Sequence, residues 1–100
     1  MLIAIVTFKT TPADRPAAIA ALLAEAETVR TLPGCIRFHP LADPADPCLT
    51  ALLHEWADEA AFAAYVASPG FTATGAILRP MMIEPPVSRR FAATLLETMA

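Results

Sequence analysis

The stretch that decides the fold is Leu53–Phe71, LHEWADEAAFAAYVASPGF. Its opening is extended, with Thr50, Leu52, His54 and Trp56 on one side and Glu55 on the other. Asp58 then offers a side-chain oxygen to the first free N–H groups of a helix. Within that helix Phe62, Tyr65 and Val66 recur at helical spacing. Ser68-Pro69-Gly70 interrupts it. Phe71–Met82 reads as a third helix, weakened by Gly75 and stopped at Pro80. A strand feeding directly into two helices is the unit around which the rest is arranged.

Upstream, Cys35–Leu41 reads as a strand whose Pro40 suits a sheet edge or a bulge. Asp43-Pro44-Ala45-Asp46-Pro47 is a turn cluster, and Leu49–Ala57 returns antiparallel. A first helix precedes this hairpin, N-capped at Asp14 with Pro16 in its first turn. Ile19, Leu22, Leu23, Ala26 and Val29 form its apolar side; Glu25, Glu27 and Arg30 fall on the wet side. Pro33-Gly34 ends it. Leu2–Lys9 is a strand with Ile3, Ile5 and Thr7 on one face and Ala4, Val6 and Phe8 on the other. Both faces are mostly apolar, which places it centrally. Glu84-Pro85-Pro86 is a rigid connector before a final strand at Arg89–Leu96. The order βαββαβ predicts an α+β, ferredoxin-like sandwich with an antiparallel sheet. Helices would cover one sheet face, and a second copy is the simple cover for the other, so a homodimer is expected.

The chain has 100 residues, enough for one domain, 1–100. It is 56% hydrophobic and only 17% charged, an apolar excess that subunit association would absorb. No apolar run approaches the roughly 20 residues of a membrane-spanning helix, so no membrane partner is expected. The start, Met1–Val6, has neither a basic region nor a small-residue cleavage site and reads as strand. A net charge of −3 and scattered basic residues argue against nucleic acid. Cys35 and Cys48 fall at opposite ends of the predicted hairpin, too far apart for a bond. Reduced thiols without an export signal point to the cytoplasm.

Four short motifs carry a family resemblance: Pro33-Gly34-Cys35-Ile36-Arg37-Phe38, Asp43-Pro44-Ala45-Asp46-Pro47, Glu55-Trp56-Ala57-Asp58 with Ala61, and Ser68-Pro69-Gly70-Phe71. The chain resembles the antibiotic biosynthesis monooxygenase family of dimeric α+β barrels along nearly its whole length. That resemblance implies a pocket between the sheet and the helices. It also implies, for many members, oxidation of phenols, quinols or polyketide-like rings without metal or flavin; other members degrade haem or isomerise small molecules. In polyketide-oxidising members a tryptophan at the position of Trp56 lines the substrate pocket. The asparagine, tyrosine and arginine that accompany it there are replaced here by Leu52, Phe62 and Ala76. The positions matching the haem-degrading members are Thr7, Tyr65 and Gly75, and no histidine stands at the last of these.

His54 is the residue of most chemical interest. Alternation puts it on the face of Trp56, toward the helices. An imidazole is the commonest general base at neutral pH, so one reading makes His54 the base that ionises a phenol or enol. The other makes it a half-buried histidine satisfied by its neighbours. Leu52, Trp56, Phe62 and Tyr65 would form the pocket wall, and Thr7 would orient a polar substituent. Glu55 points away and is expected to pair with an arginine. Arg37 has no fixed direction without the hairpin register, and His39 reads as a rim or solvent residue. Two histidines and two cysteines at these spacings make no metal signature, and no nucleotide-binding loop is present, so neither metal nor cofactor is expected. The function expected is a cofactor-independent monooxygenase acting on an electron-rich aromatic or quinol. The alternatives are a non-oxidative isomerase-like enzyme or a non-catalytic small-ligand-binding or stress-associated dimeric α+β barrel protein.

Overall fold

A computed structural model of the chain describes residues 1–100. Four strands and three helices alternate as β1 (Leu2–Lys9), α1 (Arg15–Val29), β2 (Cys35–Ala42), β3 (Leu49–Trp56), α2 (Glu59–Val66), α3 (Pro69–Leu78) and β4 (Val87–Ala92). The sheet order is β2-β3-β1-β4, and every neighbouring pair is antiparallel. This is the ferredoxin-like α+β sandwich. β1 is central, and β2, which carries Pro40, is an edge where a missing N–H costs nothing. The irregularity in β2 lies between Cys35 and Arg37, not at Pro40.

Register fixes the two faces. Ala4 pairs with His54 and Arg90, and His54 pairs with Phe38. Those side chains therefore look toward the helices. Ile3, Ile5 and Thr7 look the other way, alongside Leu53 and Glu55. The core is built from Leu2, Ala4 and Phe8 of β1, Phe38, Leu52 and Trp56 of β2 and β3, and one stripe of each helix. On the opposite face Ile5, Val87, Phe91 and Leu41 stay exposed in the single chain.

Local chemistry explains the helix boundaries. Asp58 accepts a hydrogen bond from the Ala61 N–H at 2.8 Å, and the Ser68 hydroxyl accepts from the Phe71 N–H at 3.3 Å. Each break therefore caps the next helix. α1 differs from expectation: Asp14 occupies the N-cap position but its side chain makes no cap, and the Thr11 hydroxyl accepts from the Asp14 N–H instead. The helix ends at Val29, before Pro33-Gly34. Gly34 has φ +81°, and its carbonyl accepts from Ala57 N–H at 2.8 Å, clamping the start of β2 to the end of β3. α3 begins at Pro69 and gives way to a short 3₁₀ turn at Arg79–Met81, as Pro80 dictates. β4 begins at Val87 and ends at Ala92, earlier than the expected Arg89–Leu96.

No single helix is long and apolar enough to cross a membrane. Cys35 and Cys48 are both free thiols. Burial pushes the Cys35 thiol up, only partly opposed by Arg30, so it stays protonated.

Candidate functional site

A cavity of about 210 Å³ lies between the helical layer and the sheet. An apolar void of roughly 150 Å³ suffices to hold benzene, so this one admits a substituted single ring or a small bicycle. β1 and β3 supply its floor through Val6, Phe8, Leu52 and His54. α1 supplies Leu22 and Glu25, and α2 supplies Phe62 and Tyr65. Phe71, Thr74, Leu78, Arg79 and Met82 close one side; Pro86, Ser88 and Arg90 complete the rim. The wall is mostly apolar, with a few polar groups converging on it, the usual make-up of a small-molecule site.

Of the residues expected at the pocket, Leu52, His54, Phe62 and Tyr65 border this cavity. Trp56 does not. It is fully buried one layer behind, stacked on Tyr65 with ring centroids 5.1 Å apart and planes 19° from parallel. Thr7 is removed from the site altogether. It pairs with Ala51 and Val87 on the bare face, across the sheet from the cavity, because alternation groups it with Ile3 and Ile5. Glu55 and Arg37 form an ion pair at 2.7 Å on that same bare face. His39 is exposed there too, 3.4 Å from the Arg30 guanidinium.

His54 is only 2% exposed and sits within a ring of aromatic side chains. Phe38 and Phe62 lie 5.6 Å away, Tyr65 5.9 Å and Trp56 6.2 Å, centroid to centroid. The Trp56 indole N–H donates to His54 Nδ1 at 2.9 Å. An indole nitrogen can only donate, so Nδ1 must be the accepting, unprotonated nitrogen. Neutral His54 therefore carries its proton on Nε2. That atom is buried, has no hydrogen-bond partner in the protein, and belongs to a side chain on the cavity wall. Burial, aided by the Arg90 charge, pushes the imidazole down from 6.5 to about 4. At neutral pH His54 is thus an uncharged N–H donor. The expected general-base role fails on this geometry: the one basic lone pair is already engaged by Trp56.

Glu25 is the residue that sequence reasoning missed. It is 9% exposed, and its carboxylate accepts from the Tyr65 hydroxyl at 2.9 Å. Assigning it to the wet side followed its charge. Its spacing said otherwise: three residues after Leu22 and four before Val29, it lies on the buried stripe. Two guanidinium groups complete the electrostatics. Arg90 lies over the face of Phe62, 4.8 Å from its centroid, and neither Arg90 nor Arg79 joins the chain's ion pairs, Lys9–Asp46 and Arg37–Glu55. No group of three or more His, Cys, Asp or Glu side chains is placed to hold a metal ion.

Comparison with known proteins adds the family. The family model for antibiotic biosynthesis monooxygenase matches residues 1–76. Among solved structures, an antibiotic biosynthesis monooxygenase superposes with a TM-score of 0.85 at 21% identity, over 95% of this chain and 100% of that one. Rv0793 from Mycobacterium tuberculosis gives 0.87 at 18% identity, covering 97% and 98%. A conserved protein from Methanosarcina mazei Go1 gives 0.86 at 17%, covering 94% of each. Identities this low speak for the fold alone. None of the curated proteins compared matches the sequence. The family match spans three-quarters of the chain, from β1 through most of α3: the chain belongs to the antibiotic biosynthesis monooxygenase family.

Proposed function

We propose that the cavity binds a small hydroxylated aromatic and promotes its oxidation by dioxygen without a cofactor. The observation that carries this reading is the Nε2–H of His54, a buried donor with no protein partner beside an apolar cavity. Leaving such a group unsatisfied costs about 1–3 kcal/mol, and a ligand oxygen removes that cost. The family supplies the reaction class.

In this chemistry the substrate provides the electrons. Loss of the hydroxyl proton raises the electron density of the ring, which then reduces dioxygen; a phenol and one dioxygen give a quinone and one water. His54 donates Nε2–H to the developing oxyanion and stabilises it in a site that excludes water. Phe62, Tyr65 and Leu52 hold the ring plane. The guanidinium groups of Arg79 and Arg90, which join no ion pair, place positive charge at the edge of the cavity. Because His54 is neutral, it does this work without a proton transfer of its own.

Oxygen uptake with a panel of hydroquinones and naphthols tests the reading. His54→Gln is expected to lower kcat/KM about 100-fold, the usual cost of one oxyanion donor. Equal rates in the two proteins would remove His54 from the reaction, and substrate turnover without oxygen uptake would favour an isomerase-like chemistry.

The second part of the proposal is a homodimer formed through the bare sheet face. Ile5, Val87 and Phe91 are each more than a third exposed there. Ile5→Asp is expected to shift the protein to a monomer in sedimentation equilibrium, since it places a charge at the centre of an apolar contact. An unchanged mass would place any interface elsewhere.

A further inference from the structure

The oxidation proposed above leaves one buried charged residue without a task. Glu25 lies on the stripe of α1 packed against the sheet, 9% exposed. It receives one hydrogen bond, from the Tyr65 hydroxyl to Oε1, and takes part in neither of the chain's ion pairs. A carboxylate has room for about four such bonds. The second oxygen makes no hydrogen bond within the protein and reaches accessible space, and Glu25 borders the same cavity as His54. Burial, then the Glu25 carboxylate itself, holds the Tyr65 phenol well above its usual range. Tyr65 therefore keeps its proton and donates it to one carboxylate oxygen, leaving the other for a ligand.

The cavity thus presents complementary groups from two different elements. β3 supplies a donor with no acceptor, His54 Nε2–H, and α1 supplies an acceptor with one oxygen free of any protein partner, Glu25. The phenol ring of Tyr65, 5.9 Å from the His54 ring, bridges the two. A ring bearing a hydroxyl and a second oxygen matches this pairing; an unsubstituted apolar molecule does not.

Resting on the reading above, we propose that Glu25 is the proton acceptor of the site. The substrate O–H bond breaks, an O–H bond forms on the Glu25 carboxylate, and the electron pair stays on the substrate oxygen. One oxygen atom of dioxygen then bonds to the ring carbon and the O–O bond breaks; the other oxygen leaves as water with the proton from Glu25 and the hydrogen lost from that carbon, so phenol and dioxygen balance against quinone and water and Glu25 is regenerated. The charged and titratable groups that share the cavity with Glu25 are Tyr65 of α2, His54 of β3, Arg79 of the 3₁₀ turn and Arg90 of β4.

4-Nitrophenol tests this, because its hydroxyl titrates near neutral pH and its two forms differ in colour. A carboxylate acceptor favours the phenol and repels the phenolate. The unaltered protein is expected to bind the phenol form about 10-fold more tightly than the phenolate. Glu25→Gln keeps the side-chain shape and an oxygen for the Tyr65 hydroxyl, and is expected to bring the two forms within about 3-fold of each other. With any substrate that supports oxygen uptake, the same variant is expected to lose about 100-fold or more in kcat with little change in KM. A folded Glu25→Gln protein that keeps the phenol preference overturns the proposal. So does unaltered protein that prefers phenolate, a result that needs no variant. If no phenol drives oxygen uptake while the selectivity shift is seen, the oxygenase reading falls and the Glu25 contact stands.

Discussion

Truncating Trp56 to alanine is expected to remove about 3–5 kcal/mol of stability, the range for a fully buried large aromatic. The indole has no exposed surface and stacks on Tyr65, with Phe62 edge-on at 6.3 Å. For a small domain whose whole stability is about 5–15 kcal/mol, that is a large fraction. Urea unfolding at fixed protein concentration measures it, and a loss under 1 kcal/mol would mean that the aromatic layer contributes little to stability. Trp56→Phe separates packing from chemistry. It keeps a ring in place but deletes the N–H that fixes His54, so its stability loss should be much smaller. Nitrogen-15 spectra of the imidazole should then change from protonated Nε2 with bare Nδ1 to a mixture of tautomers. A purely structural Trp56 would leave those signals alone, which makes the spectrum the decisive reading of its positioning role.

Acidification is the second large effect. An unfolded His54 takes up a proton as the pH falls through 6.5, whereas the folded protein resists until about 4. Between those values the unfolded state binds more protons, so stability falls as the pH falls. The contribution is complete above 6.5 and exhausted below about 4. At about 1.4 kcal/mol per pH unit it amounts to roughly 3 kcal/mol. His54→Gln retains an oxygen for the Trp56 N–H and cannot titrate, so its stability should be nearly flat across that window apart from the carboxylates common to both proteins. Parallel slopes in the two proteins would show that His54 is accessible to protons in the folded state.

Much of this was legible in the chain. Period-two alternation put His54 and Trp56 on one face and Glu55 on the other, and both placements hold. The same rule grouped Thr7 with Ile3 and Ile5; its assignment to the pocket followed the match to haem-degrading members, and the pairing of β1 with β3 turns that face away from the cavity. Glu25 shows the opposite failure. There the pattern was correct and the residue type misled, because a carboxylate is seldom buried unless something partners it. Its partner, Tyr65, lies 40 positions away, a distance that no local rule spans. The protonation of His54 lay between these cases. A tryptophan two residues along the same strand face was visible, but the direction of its N–H depends on the rotamer that Tyr65 imposes by stacking. The ends of β4 escaped because Arg89-Arg90 and Ala92-Ala93 give a strand no apolar rhythm to stop on.

The cavity is divided along the chain in a way that has a practical reading. The imidazole, its indole clamp and the acidic residue all lie before position 76, within the part that matches the family model. Leu78, Arg79, Met82, Pro86, Ser88 and Arg90 come after it. The lining thus comes in two lengths of chain, and the second returns through β4 to pair with β1 in the same sheet. Substitutions at Leu78, Met82 or Ser88 can therefore reshape the cavity while leaving His54, Trp56 and Glu25 in place.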